Sequence, residues 1–236
     1  MAIWPWAPSS PQVVTNLSAL PHIYNDGASQ IHTTAKPSAA IPINHVPLGP
    51  VAPCAMSMQG SESLHYLFGG TCSWDFDSWH ASDDRVRGGK SQSHLEAASP
   101  SGSDATHQNA RFFGNLDITA LGGAGFASQR TADSKSWDLS PYSGLSIKIV
   151  NGDGKKYTLI LKDEILPKRP DGREQSTVSW EYDFVGEQSE LRISWADFKP
   201  TYCGKAMPDA DPLDLTGIKR LSIMDEKLFR RPARQV

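Results

Sequence analysis

The chain has 236 residues, 21% of them charged, with a formal net charge of −3. That length accommodates one ordinary domain plus an extension. The weak net charge supplies no global field toward nucleic acid or an anionic membrane, and no apolar run is long enough to span a bilayer as a helix.

Residues 1–58 read as a disordered or poorly ordered proline-rich extension. Pro5, Pro8, Pro11, Pro21, Pro37, Pro42, Pro47, Pro50 and Pro53 punctuate it, and its only charged side chains are Asp26 and Lys36. Each proline blocks a helix interior and withholds a ladder donor from a central strand. The first arginine is Arg85, so no arginine-rich presequence is visible, and no secretory apolar region stands out. Cys54, Cys72 and Cys203 are odd in number and widely separated. That spacing argues against a disulfide framework or a zinc ribbon and favours free or buried thiols in a reducing compartment.

The folded domain is expected over 59–228. Its first distinctive stretch is Ser82 to Ser91, SDDRVRGGKS, which ends like a phosphate-binding loop. A Walker loop needs glycine five residues before Gly89. Asp84 stands there and would set negative charge against phosphate, and the following QSHLEA carries no long helical pattern. The stretch reads instead as a bend entering a strand, with Asp83, Asp84, Arg85 and Arg87 available for local ion pairs or a partner cleft. GSDATHQN, residues 102–109, reads as a polar loop. GGAGFAS fails as a dinucleotide loop, because Ser128 occupies the place of its third glycine and no helix pattern follows.

Beyond this point the chain alternates with period two. GLSIKIV sets Leu145, Ile147 and Ile149 on one face. Asn151-Gly152-Asp153-Gly154 signals a hairpin into KYTLILKD. TVSWEYDF aligns Val178, Trp180, Tyr182 and Phe184, ELRISW aligns Leu191, Ile193 and Trp195, and IKRLSIM supplies one more run. Such alternation marks half-buried antiparallel strands, and the gaps between runs hold no helical crossovers. The class is all-β, an antiparallel two-sheet sandwich with little helix.

WHASDDRVRGGKSQSHL, FFGNLDI, GAGFASQR, DLSPYSGLSIKIVNGDGKKYTLILKD, VSWEYDF and WADFKPTYCGK follow one another. Together, from about Leu67 to Met224, they resemble the CIA30 family, named for complex I intermediate-associated protein 30, and within it the short fungal members. The resemblance implies a jelly-roll sandwich similar to galactose-binding modules. It also implies a non-enzymatic, chaperone-like assembly factor for mitochondrial respiratory complex I (NADH:ubiquinone oxidoreductase). The implied partners are partly assembled subunits; no catalytic residue, cofactor, metal, nucleic acid or membrane span is implied. The family's blocks fall on Asp83, Asp84, Arg87, Gly88, Gly89 and Ser91, on Gly125, Phe126, Ala127, Ser128 and Arg130, and on Gly152, Asp153, Gly154 and Tyr157. Asp83, Asp84, Arg87 and Arg130 are the candidate partner- or ligand-binding residues, expected to form one polar cluster. The resemblance points to the mitochondrion; the absence of a clear presequence keeps the cytosol as the alternative. After IKRLSIM, which is expected to be the last regular strand, a final family strand is expected to be missing and 229–236 to form an irregular tail. The fold class also admits a glycan- or small-ligand-binding module, for which Trp74 and Trp79, near turns, are the candidate surface aromatics. Histidines 65, 80, 94 and 107 show no metal-site spacing, and no nucleophile elbow occurs.

Overall fold

The computed structural model describes residues 12–24, 57–58, 63–70, 72–98, 109–187 and 189–227. Among them there is no α-helix, only strands and short 3₁₀ turns. The strands are β1 (Gln12–Tyr24), β2 (Ser57–Met58), β3 (Ser63–Tyr66), β4 (Trp79–Ala81), β5 (Gln92–Ala97), β6 (Ala110–Asn115) and β7 (Gly125–Thr131). They continue with β8 (Gly144–Asn151), β9 (Lys156–Lys162), β10 (Ser179–Val185), β11 (Ser189–Ser194), β12 (Lys199–Tyr202), β13 (Lys205–Ala206) and β14 (Arg220–Lys227).

The strands form two seven-stranded sheets, and every pairing is antiparallel. The second runs β13-β12-β10-β9-β14-β7-β4; the first runs β11-β8-β1, beyond which β1 pairs with both β6 and β3, and these carry β5 and β2. Between the sheets lies one apolar core. Phe112, Leu145, Ile147, Ile149 and Ile193 come from the first sheet, and Tyr157, Leu159, Leu161, Trp180, Phe184, Leu221 and Ile223 from the second. Phe112 and Tyr157 meet edge-on across it at 6.1 Å. The apolar faces read from β8, β9, β10 and β14 are the faces that are buried. Fully burying each such side chain is worth roughly 1.5–3 kcal/mol, so these rows dictate which way every strand faces.

Within the proline-rich segment, Gln12–Tyr24 is a strand of the first sheet, paired along one edge with β8. Its other edge pairs with β6 over Gln12 to Leu17 and with β3 at His22 and Ile23. Pro21 falls where the register to β8 shifts between Ala19 and His22. A residue without an N–H is tolerated at such an irregularity. Composition averaged over 58 residues hides a stretch with a single proline. Residues 1–11, 25–56, 99–108 (most of the expected polar loop) and 228–236 (the expected tail included) lie outside the described residues. β14 takes an interior position, hydrogen-bonded to β9 on one side and β7 on the other.

The cysteine expectation is corrected. Cys72 is disulfide-bonded, whereas Cys203 is free and exposed; Cys54 lies outside the described residues. Spacing along the chain does not report which thiols meet in space.

The hairpin expectation is corrected as well. Asn151-Gly152-Asp153-Gly154 does not fold β9 back onto β8. The two strands belong to different sheets, so the turn is a corner between the layers. It is fastened to the end of β10: Gly154 donates to the Gly186 carbonyl at 2.9 Å, and Gly186 donates to the Lys155 carbonyl at 2.7 Å. A Cβ on Gly152 would stand 1.8 Å from the Gly186 oxygen, while Gly154 faces open space with φ +72°. Gly152→Ala therefore forces backbone apart and is expected to cost about 1–3 kcal/mol or more. Gly154→Ala, strained only in its dihedral, is expected to cost about 1–2 kcal/mol. Urea midpoints of the two variants measure this ordering.

Candidate functional site

The stretch SDDRVRGGKS begins where β4 leaves β7. The β4 ladder ends at Ala81, opposite Gln129, so the next N–H groups along that edge of β7 need other acceptors. Two adjacent carboxylates supply them. Asp83 Oδ1 accepts from Ser128 N–H at 2.9 Å, and Asp84 Oδ2 accepts from Phe126 N–H at 3.3 Å.

The same carboxylates reach the other sheet. Asp83 accepts from the Ser93 hydroxyl at 2.6 Å and its N–H at 3.2 Å. Asp84 accepts from the Ser91 hydroxyl at 2.8 Å and its N–H at 3.0 Å. Ser91 and Ser93 are two apart and share one side of the chain entering β5, just as Phe126 and Ser128 share one edge of β7. Each aspartate thus joins one serine of the first sheet to one amide of the second. The Ser128 carbonyl lies 2.8 Å from the same Ser93 hydroxyl, whose single proton is shared between it and Asp83, and Gln129 Nε2 donates to the Ser93 carbonyl at 3.0 Å. Asp83 is 4% exposed and Asp84 is fully buried.

The sequence between the aspartates and the serines follows from this bracket. Asp84 opens a 3₁₀ turn over Asp84–Arg87 that Gly88 closes in the left-handed region at φ 85°. Gly89 then passes against the Asp84 carboxyl group, where a Cβ would sit 2.2 Å from it. Because three donors hold that carboxylate, it cannot swing aside. The residue that excludes a phosphate-binding loop is the one the turn is built around, and β5 follows it, not a helix.

The candidate residues separate into two places. Asp83 and Asp84 are together in the bracket. Arg87 lies on the outside of the turn, its guanidinium 5.6 Å from the centre of the Phe126 ring. Arg85 approaches Asp83 Oδ2 at 3.5 Å and stays largely in solvent. Arg130 does not join them. Its Nη1 bonds Asp133 at 2.8 Å and its Nη2 bonds Glu174. Arg220, 7% exposed, binds the same two acids, its Nη1 reaching Glu174 at 3.1 Å and its Nη2 bonding Asp133. Burial raises the Asp133 carboxyl, but the bonds and charges of Arg220 and Arg130 outweigh this and hold it below the usual carboxylate range. This second cluster ties the loop after β9 to β7 and β14. It draws on residues with no common motif, so Arg220, Asp133 and Glu174 are invisible to sequence reading. Ser91 and Ser93 had a weak signal in their i, i+2 spacing.

The surface-aromatic expectation is also corrected. Trp74 and Trp79 are each 6% exposed and pack with Phe68, their ring centres 5.4 and 5.2 Å from it. They belong to the core and offer no platform for a sugar ring. Trp180, at 8% exposure, is in the core as its strand face requires.

The second and third family blocks begin at the same end of the second sheet, and Asp84 of the first block binds Phe126 there. Gly125 opens β7, Asp153 lies in the corner before β9, and β14 runs between them. There Asp225 is paired with Tyr157 on one side and Ala127 on the other. Tyr157 donates its hydroxyl to Asp153 at 2.9 Å, and Lys155 pairs with Asp153 at the same distance. Asp225 is 4% exposed, and its Oδ2 has no hydrogen-bond partner among the described residues. Burial pushes its carboxyl up to about 6, with Lys155 opposing the shift and Asp153 adding to it.

The chain matches the family described as Complex I intermediate-associated protein 30 (CIA30) over residues 67–232, and it belongs to that family. It is also 39% identical over 168 residues to an uncharacterized protein of Schizosaccharomyces pombe, a match spanning 69% of this chain and 75% of that protein. No helix among the described residues is long and apolar enough to cross a membrane.

Two measurements test the site's energetics. Asp84→Ala strands the buried amides of Ser91 and Phe126 and is expected to cost about 2–5 kcal/mol in a denaturant titration, since each unsatisfied buried group costs roughly 1–3 kcal/mol. Arg87→Ala, at the surface, is expected to change stability by less than about 1 kcal/mol. Asp225 sets a pH dependence. Its folded value, about 6, lies above its ordinary value of 3.8, so folding takes up a proton between them. Its contribution to stability is full below about pH 4 and is lost as pH rises through about 6. Asp225→Asn is expected to raise Tm near neutral pH and to flatten this loss, as thermal scans across that range will show.

Proposed function

We propose that this protein is a non-enzymatic assembly factor for respiratory complex I that holds partly built subunits within the mitochondrion. Family membership over residues 67–232 is the observation that carries this reading. The chemistry of the motif agrees with it. Asp83 and Asp84, the pair a catalytic reading would recruit, are committed to serine and amide donors. In this reading the loop rim around Arg87 meets the partner, Asp83 and Asp84 brace that rim from within, and Arg130 braces the far end of the same sheet.

The test is deletion of the gene in a host that assembles complex I, followed by native gel analysis of mitochondrial membranes. Expected are loss of the finished complex, accumulation of membrane-arm intermediates, and co-migration of the tagged protein with those intermediates. Normal complex I in the deletion strain would overturn the proposal.

A further inference from the structure

Val86 is 88% exposed, against 46% for Tyr202, 41% for Val185, 38% for Leu166 and 37% for Met207, the other exposed large apolar residues described. It stands at the crest of the Asp84–Arg87 turn with an exposed arginine on each side. Among the described residues, Arg85 reaches Asp83, Arg87 rests over the Phe126 ring, and Val86 stays in solvent. The backbone that carries them is hydrogen-bonded at both feet. Asp83 and Asp84 anchor one foot of the turn to both sheets. Gly88 N–H bonds Arg85 O at 3.0 Å and Gly89 N–H bonds Asp84 O at 3.1 Å, closing the other foot.

The charge on this crest is only partly satisfied. Arg87 makes no ion pair among the described residues and rests over the Phe126 ring. Arg85 touches a carboxylate that already accepts three hydrogen bonds. Lys90 is different: hydrogen bonds from Ala120 and Thr119 hold the Asp117 carboxyl below its ordinary range, and the charge of Lys90 adds a little to this. The crest therefore presents two guanidiniums separated by one β-branched apolar side chain, on a backbone that loses little freedom when it is bound.

We propose that the Arg85-Val86-Arg87 crest is a docking knob for an acidic protein segment, one in which carboxylates flank an apolar residue. Guanidinium forks match carboxylates in bidentate geometry, and Val86 needs an apolar partner to leave water. A nucleic acid would call for a longer basic stripe and has no use for the valine. An anionic membrane would call for a broader basic and aromatic face. This proposal rests on the partner-binding reading above and names the chemistry of the partner.

The experiment uses the purified full chain and fluorescent synthetic peptides in which leucine is flanked by glutamates, with glutamine-flanked peptides as controls. Fluorescence polarisation is expected to show binding of the glutamate peptides alone, weakened when salt is raised to about 1 M, where the Debye length is ~3 Å. Arg87→Glu and Val86→Ser are each expected to weaken it about tenfold or more with Tm unchanged. Arg169→Glu, in the exposed loop after β9, is expected to leave it unchanged. Equal binding of both peptide sets, no binding of either, or insensitivity to both crest variants would overturn the proposal. So would capture by phosphatidylserine vesicles through the same residues without peptide binding. Peptide binding together with normal complex I in the deletion strain would sustain the knob while removing the assembly reading. Failure of the peptides together with lost complex I would do the reverse.

Discussion

The structure turns on two adjacent carboxylates placed between two sheets. A sandwich edge leaves amides that no strand covers, and burying them unpaired costs more than most side chains return. Asp83 and Asp84 answer that cost at Ser128 and Phe126, and each extends to a serine of the facing sheet. Buried carboxylates are expensive to desolvate. Their justification is geometric: an apolar side chain in either place could pack, but it could not fix the register between β5 and β7. The close glycine, the cap and the turn all follow from holding those oxygen atoms still.

The ionic cluster at the other end works differently. Arg130 and Arg220 share Asp133 and Glu174, so four charges neutralise one another at a partly exposed surface. There the gain is the anchoring of a long loop to two strands. The bracket positions a rim and the ionic cluster closes a flank. Between them run β7 and β14, paired antiparallel.

The strand faces were readable because alternation is local: two residues along an extended chain return a side chain to the same face, whatever the strand pairs with. Leu145, Ile147, Ile149, Trp180, Phe184, Leu221 and Ile223 are buried as that rule requires. The rejection of a phosphate loop was equally local, since Asp84 occupies a position where charge and shape both forbid it. The expected cluster of Arg130 with the aspartates was not readable. The β4–β7 ladder sets Arg130 opposite His80, three residues before Asp83, but its side chain goes to Asp133 and Glu174. Trp74 and Trp79 misled because proximity to a turn in sequence does not mean exposure.

By itself the sequence determined the class, the inward faces, and the family to which residues 67–232 belong. These rest on periodicity and on motif blocks, which short-range sterics and burial impose residue by residue. Tertiary structure decided that Asn151–Gly154 turns between sheets instead of closing a hairpin, and that Gln12–Tyr24 enters the first sheet. It also decided which donors the aspartates meet. The bond from Ser128 to Asp83 spans 45 residues and that from Phe126 to Asp84 spans 42. Contacts of that range depend on how whole sheets stack. A hydrogen-bonding side chain carries no record in its own neighbourhood of which distant partner the stacking will bring to it.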